Sequence, residues 1–87
     1  MAQLRINVTF NQGGAASVGI IPSDVEEWKP EQSDTLAVDL ESGDYAVTWV
    51  TLTQGGGSIE ILVDGERVHQ ADLPVGDGGD NVMITIP

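Results

Sequence analysis

Apolar and polar residues alternate along most of this chain, and that two-residue period constrains the fold more than any other feature. Leu4, Ile6, Val8 and Phe10 alternate with Arg5, Asn7 and Thr9, the pattern of a strand with one face in a core and the other in water. Gln12-Gly13-Gly14 closes it. A second short strand over residues 16–21 ends at Pro22. Residues 22–34 read as a loop, with Pro22, Ser23, Asp24, Pro30, Ser33 and Asp34 as turn formers. One helical turn over residues 24–28 fits inside that loop, capped by Ser23 and stopped by Pro30. Further strands follow at 35–40, 44–53, 58–63, 66–72 and 82–86, separated by Gly-rich turns, with residues 74–80 as a Gly-rich loop. Seven strands and no convincing long helix predict an all-β protein: a small seven-stranded antiparallel β-sandwich, jelly-roll or immunoglobulin-like, as a single domain over residues 1–87. A chain of this size buries roughly 60–65% of its unfolded surface, enough for one marginal core.

Charge narrows the partners. Fourteen acidic residues face three basic ones, for a net charge of -11. Nucleic acids are bound through Lys and Arg contacts to phosphate, and anionic membrane surfaces through the same charges, so both partners are all but excluded. Self-repulsion opposes compaction, so stability is expected to rise with added salt or toward mildly acidic pH. The absence of cysteine removes disulfides and thiolate metal sites. The hydrophobic share of 40% is too high for a disordered acidic tail. The first residues lack a basic stretch leading into an apolar run, and no apolar run approaches bilayer-spanning length. The compartment stays open.

Asp64-Gly65 is the strongest hairpin signal, since both central residues of a type I′ turn need positive φ. The register it sets puts Ile61 opposite Val68 and Glu60 opposite His69. Ile59, Ile61, Val63 and Val68 then share the core face, and His69 becomes a surface partner of Glu60. The strand at 44–53 carries apolar residues on both faces: Tyr45, Val47 and Trp49 on one, Ala46, Val50 and Leu52 on the other. Either a bulge switches the inward face after Trp49, or both faces are covered. If the Gly-rich turn after Thr53 closes a hairpin with Trp49 opposite Ile61, then Val50, Leu52 and Leu62 form an outer apolar stripe. Such a stripe needs a cover, either Trp28 folding back or a second copy of the chain. A two-fold homodimer is the first expectation.

Leu40-Glu41-Ser42-Gly43-Asp44-Tyr45 has the spacing of a tyrosine corner, in which a Tyr hydroxyl bonds back to the backbone a few residues upstream. From there to residue 79 the chain resembles jelly-roll carbohydrate-binding modules of the galactose-binding-like kind. The resemblance lies in Gly43-Asp44-Tyr45, in Gly55-Gly56-Gly57-Ser58, in the alternating Ile59-Glu60-Ile61-Leu62-Val63, in Asp64-Gly65, and in Leu73-Pro74 followed by Gly78-Gly79. It implies a sandwich that binds sugar without catalysis. Asp80-Asn81 stand where those modules usually carry an aromatic, and no aromatic follows Trp49, so no binding residue is carried over from them.

Two clusters are candidate sites on their chemistry. Asp77, Asp80 and Asn81 gather oxygen ligands in a Gly loop. Calcium takes six to eight oxygens, so Asp24, Glu26 or Glu27 from a second loop would have to complete the shell. Trp28, flanked by Glu26 and Glu27, is either a lid on the open end of the sandwich or a ligand-binding residue, since exposed Trp is enriched at binding hot spots. Nothing pairs a nucleophile with a base, and the sequence has no Gly-x-Ser-x-Gly elbow, so an enzyme is not expected. The function expected is a non-catalytic binding module for a glycan or protein partner, with calcium as an optional ligand. The alternative is a self-associating structural or protein-interaction domain.

Overall fold

The computed structural model describes residues Met1–Pro87. Seven strands run in the order β1 (Ala2–Phe10), β2 (Gly14–Ile21), β3 (Asp34–Leu40), β4 (Gly43–Thr53), β5 (Gly57–Val63), β6 (Glu66–Leu73) and β7 (Gly76–Ile86). They form two antiparallel sheets, one ordered β3-β1-β5-β6 and the other β2-β4-β7. The molecule is the expected small β-sandwich. β1 lies between β3 and β5, whereas the first two strands of the immunoglobulin arrangement are neighbours.

Alternation builds the core directly. Every second residue of β1 from Ala2 to Phe10 is buried. Leu4, Ile6, Val8, Ile59 and Ile61 of one sheet are sealed against Val18, Val47 and Ile86 of the other. Each side chain of this kind stabilises the fold by about 1.5–3 kcal/mol when fully buried. The tyrosine corner is formed as expected. The Tyr45 hydroxyl donates to the Glu41 carbonyl at 2.8 Å, and both Leu40 and Tyr45 are buried.

Of the six connections, only the Asp64-Gly65 turn stays within one sheet. Its positive φ values, 49° and 85°, fit the type I′ turn. The Gly-rich turn after Thr53 is not a hairpin: β4 and β5 belong to different sheets, and Trp49 pairs with Val18 and Asp80 rather than with Ile61. The chain crosses there because Gly56 adopts φ 72° in a buried position and Gly57 presses on β1, where a Cβ would run into the Thr9 carbonyl. The Thr53 hydroxyl secures the crossing, accepting from the Gly56 amide at 2.9 Å and donating to the Pro74 carbonyl at 2.7 Å.

One open alternative is decided and two further expectations are corrected. First, β4 has no bulge; its inward face continues through Thr51 and Thr53, residues small and β-branched enough to pack there. Second, the irregularity falls in the β5–β6 pair, between Ile61 and Leu62. The extra residue of that bulge is Val68, which is exposed, and the shift places His69 opposite Ile61 and Gln70 opposite Glu60. Val68 therefore leaves the core and His69 turns inward, with its ring 6.1 Å from that of Trp49. Third, no helical turn forms over residues 24–28. The Ser23 hydroxyl donates back to the Ile20 carbonyl at 2.7 Å, and Trp28 exchanges two backbone hydrogen bonds with Val18, at 2.8 and 2.9 Å. The Ala16 amide adds a third to the Pro30 carbonyl at 3.0 Å, so residues 28–30 cover the free edge of β2.

Candidate docking surface

The expected metal loop is a strand. β7 begins at Gly76 and pairs with β4 along its whole length, so Asp77 lies opposite Leu52, Asp80 opposite Trp49 and Asn81 opposite Thr48. Alternation then sends Asp77 and Asn81 to one face and Asp80 to the other. Asp80 instead accepts the neighbouring Asn81 amide at 2.8 Å. No three of the chain's acidic residues and histidine converge on one point. Trp28, opposite the inward Val18, packs half-buried against the core along the free edge of β2, neither at the open end of the sandwich nor over the outer apolar stripe. Glu26 and Glu27 stay exposed, Glu27 pairs with Lys29 at 3.3 Å, and none of the surface grooves is lined by these three residues.

The expected stripe is divided between two surfaces. Leu62 belongs to the outer face of the four-stranded sheet, half-buried between Arg5 and Arg67 in register. Val50 and Leu52 lie on the outer face of the three-stranded sheet, 61% and 60% exposed. These two outer faces are the broad surfaces of the molecule, and their chemistry differs.

The outer face of the four-stranded sheet is laced by side chains. Thr35 donates to Asn7 Oδ1 at 2.8 Å, and Asn7 Nδ2 donates to Glu60 Oε1 at 2.9 Å. Arg67 lies 3.7 Å from Glu60 Oε2 and donates to Gln70 Oε1 at 2.5 Å. This chain of contacts crosses β3, β1, β5 and β6. Beside it runs a shallow polar groove lined by Asn7, Thr9, Ser33, Asp34, Thr35 and Glu60.

The outer face of the three-stranded sheet carries no such network. Register places four rows across it: Ala15, Leu52 and Asp77; Ser17, Val50 and Gly79; Gly19, Thr48 and Asn81; Ile21, Ala46 and Met83. Ile21 and Met83 are 58% and 64% exposed. The large residues of β4 are thus flanked by small ones. Ala15 and Ser17 leave a shallow furrow beside Val50 and Leu52, and Val50 Cγ1 would stand only 3.1 Å from a Cβ at Gly79. Ile21, Ala46 and Met83 form a second apolar row beyond the pair that sequence alone singles out, parted from it by the row of Gly19, Thr48 and Asn81. Their signal was the even-numbered alternation of β4 carried onto β2 and β7, which needs the sheet order to be read.

Both edges of this sheet are guarded. Residues 28–30 cover β2, and Asp80 places a charge on the inward side of edge strand β7, a device that discourages pairing with another strand. The face, not the edges, is open. No aromatic side chain stands on either outer face: Phe10, Tyr45 and Trp49 are buried, and Trp28 is packed against the core. No family model matches this chain, and neither a curated protein nor a solved structure matches it.

Proposed function

We propose that this chain is a non-catalytic interaction domain that docks a partner on the outer face of its three-stranded sheet. The observation that carries the reading is the exposure of Val50, Leu52, Ile21 and Met83 on one face. Each such side chain left in water forgoes about 1.5–3 kcal/mol of possible burial. Scattered apolar residues need no explanation, but four large ones on one face, in two groups parted by the single row of Gly19, Thr48 and Asn81, mark an interaction site. A double substitution tests it. Val50→Ser with Leu52→Ser is expected to abolish the fluorescence gain of a hydrophobic dye while moving the unfolding free energy by no more than about 0.5 kcal/mol. A large loss of stability would make the two residues structural and refute the reading.

The glycan reading has one supporting observation, the polar groove along Asn7 and Glu60 with its array of hydrogen-bonding groups. It lacks the aromatic stacking surface that binding sites for sugars commonly use. A glycan array with the wild type and with Asn7→Ala decides it: a signal that depends on Asn7 supports the groove, and an unaffected signal places sugar elsewhere.

A further inference from the structure

We infer that the occupant of the three-stranded face is a cationic amphipathic polypeptide segment, with apolar side chains on one face and Lys or Arg along its flanks. The inference rests on the docking reading above and names the partner's chemistry.

Two observations select this occupant. The first is charge. The strip from Ile21 and Met83 to Leu52 is itself uncharged, yet carboxylates border it. On the β2 side the chain alternates beside the strand: Trp28 turns inward and Pro30 is buried, while Glu27 and Glu31 are exposed. On the β7 side Asp77, exposed, stands opposite Leu52 on the outer face. The only cation at this border, Lys29, is paired with Glu27. Arg5 and Arg67 are both on the outer face of the other sheet. An apolar centre inside an acidic border attracts a segment with the reverse border, and complementary potential of this kind sets specificity and on-rate.

The second observation is size. Three strands about 4.8 Å apart and some nine residues long give a flat area of about 400–500 Å². Two copies face to face would bury on the order of 1,000 Å² in total, the floor for a specific interface. They would also bring acidic border against acidic border, each chain at a net charge of -11. The strip runs from Ala46 to Leu52 on β4, so a single extended segment of about seven residues, rising about 3.3 Å per residue, spans it end to end. The surface fits one segment better than a second sandwich.

Three labelled ten-residue peptides test the inference against the intact chain: alternating Lys–Leu, Ser–Leu and Glu–Leu, followed by fluorescence anisotropy. The Lys–Leu peptide is expected to bind best, and to weaken by at least about tenfold on moving from low to physiological-plus salt, as screening demands. Val50→Ser with Leu52→Ser, which leaves every charge in place, is expected to weaken it by a similar factor, with Met83→Gln as a second apolar deletion. Glu27→Gln with Asp77→Asn is expected to weaken it without affecting the Ser–Leu peptide. Lys–Leu binding untouched by the apolar deletions is non-specific attraction and overturns the inference. Ser–Leu or Glu–Leu binding as strongly as Lys–Leu overturns the cationic partner but leaves the docking face standing. Sedimentation as a dimer that Leu52→Ser dissociates does the same and installs a second copy as occupant. No peptide binding to a monomeric protein overturns both.

Discussion

The two outer faces are made by the same alternation and end in opposite states. On the four-stranded sheet the outward residues satisfy one another. Thr35, Asn7, Glu60, Arg67 and Gln70 link four strands through side-chain contacts, and the one large apolar residue, Leu62, is half-buried between two arginines. On the three-stranded sheet the one side-chain pair, Thr85 donating to Asp44 at 2.8 Å, lies at the end of the sheet, and Val50, Leu52, Ile21 and Met83 are left more than half exposed. A sandwich needs only its inner faces to fold. The outer faces are free to differ, so an outer face that departs from ordinary surface chemistry reports on use rather than on stability.

The wall shared by both faces sets the scale for breaking this comparison. Ile61 is fully buried between the sheets, and Ile61→Ala is expected to cost about 2–5 kcal/mol in denaturant unfolding, through lost transfer energy and the cavity left behind. A cost below about 1 kcal/mol would mean that the core is loosely packed and that neither face has a rigid support.

The next test sets one face against the other. Asn7→Ala removes two side-chain hydrogen bonds in the centre of the laced face and is expected to cost about 1 kcal/mol. Leu52→Ser on the open face is expected to cost less than about 0.5 kcal/mol, although it removes more apolar volume. Equal costs would erase the distinction between a face that holds itself together and one that waits for a partner.

A smaller test probes the wall under the open face. The Thr51 hydroxyl is buried and has no hydrogen-bond partner. Thr51→Val keeps the shape and the β-branch while removing that unpaired group, and is expected to stabilise the fold by up to about 1 kcal/mol in thermal or denaturant unfolding. A loss of stability would reveal a partner for that hydroxyl and, with it, a role for the wall beyond packing.

Much of the architecture is legible in the sequence because it rests on local chemistry. The period of two marks the inward residues of β1 and β5; Asp64-Gly65 needs positive φ; Leu40 and Tyr45 stand at the spacing of a corner. What escapes is non-local. A Gly-rich turn such as 54–57 closes a hairpin or crosses between sheets with equal ease, and the choice is made by where Gly57 meets Thr9. The bulge at Val68 exchanges the faces of Val68 and His69 with no turn residue to announce it. The Gly-rich stretch before Val82 reads as a loop by composition, yet β4 supplies it with a continuous hydrogen-bonding partner and makes it a strand. The candidate site shares this division. Val50 and Leu52 stand out from alternation alone, whereas Ile21 and Met83 join them only through the order β2-β4-β7. Leu62 is lost from the group for the same reason.

The central claim is that the open face of the three-stranded sheet is where a partner docks. Backbone amide chemical shifts of the isotope-labelled chain, followed by NMR during titration with the Lys–Leu peptide, test it most directly. The account predicts that shifts concentrate at Ser17, Gly19, Val50, Leu52, Gly79 and Met83, while Thr35, Asn7, Glu60 and Gln70 stay in place. Shifts centred on the laced face, or spread evenly over the acidic surface, would contradict it.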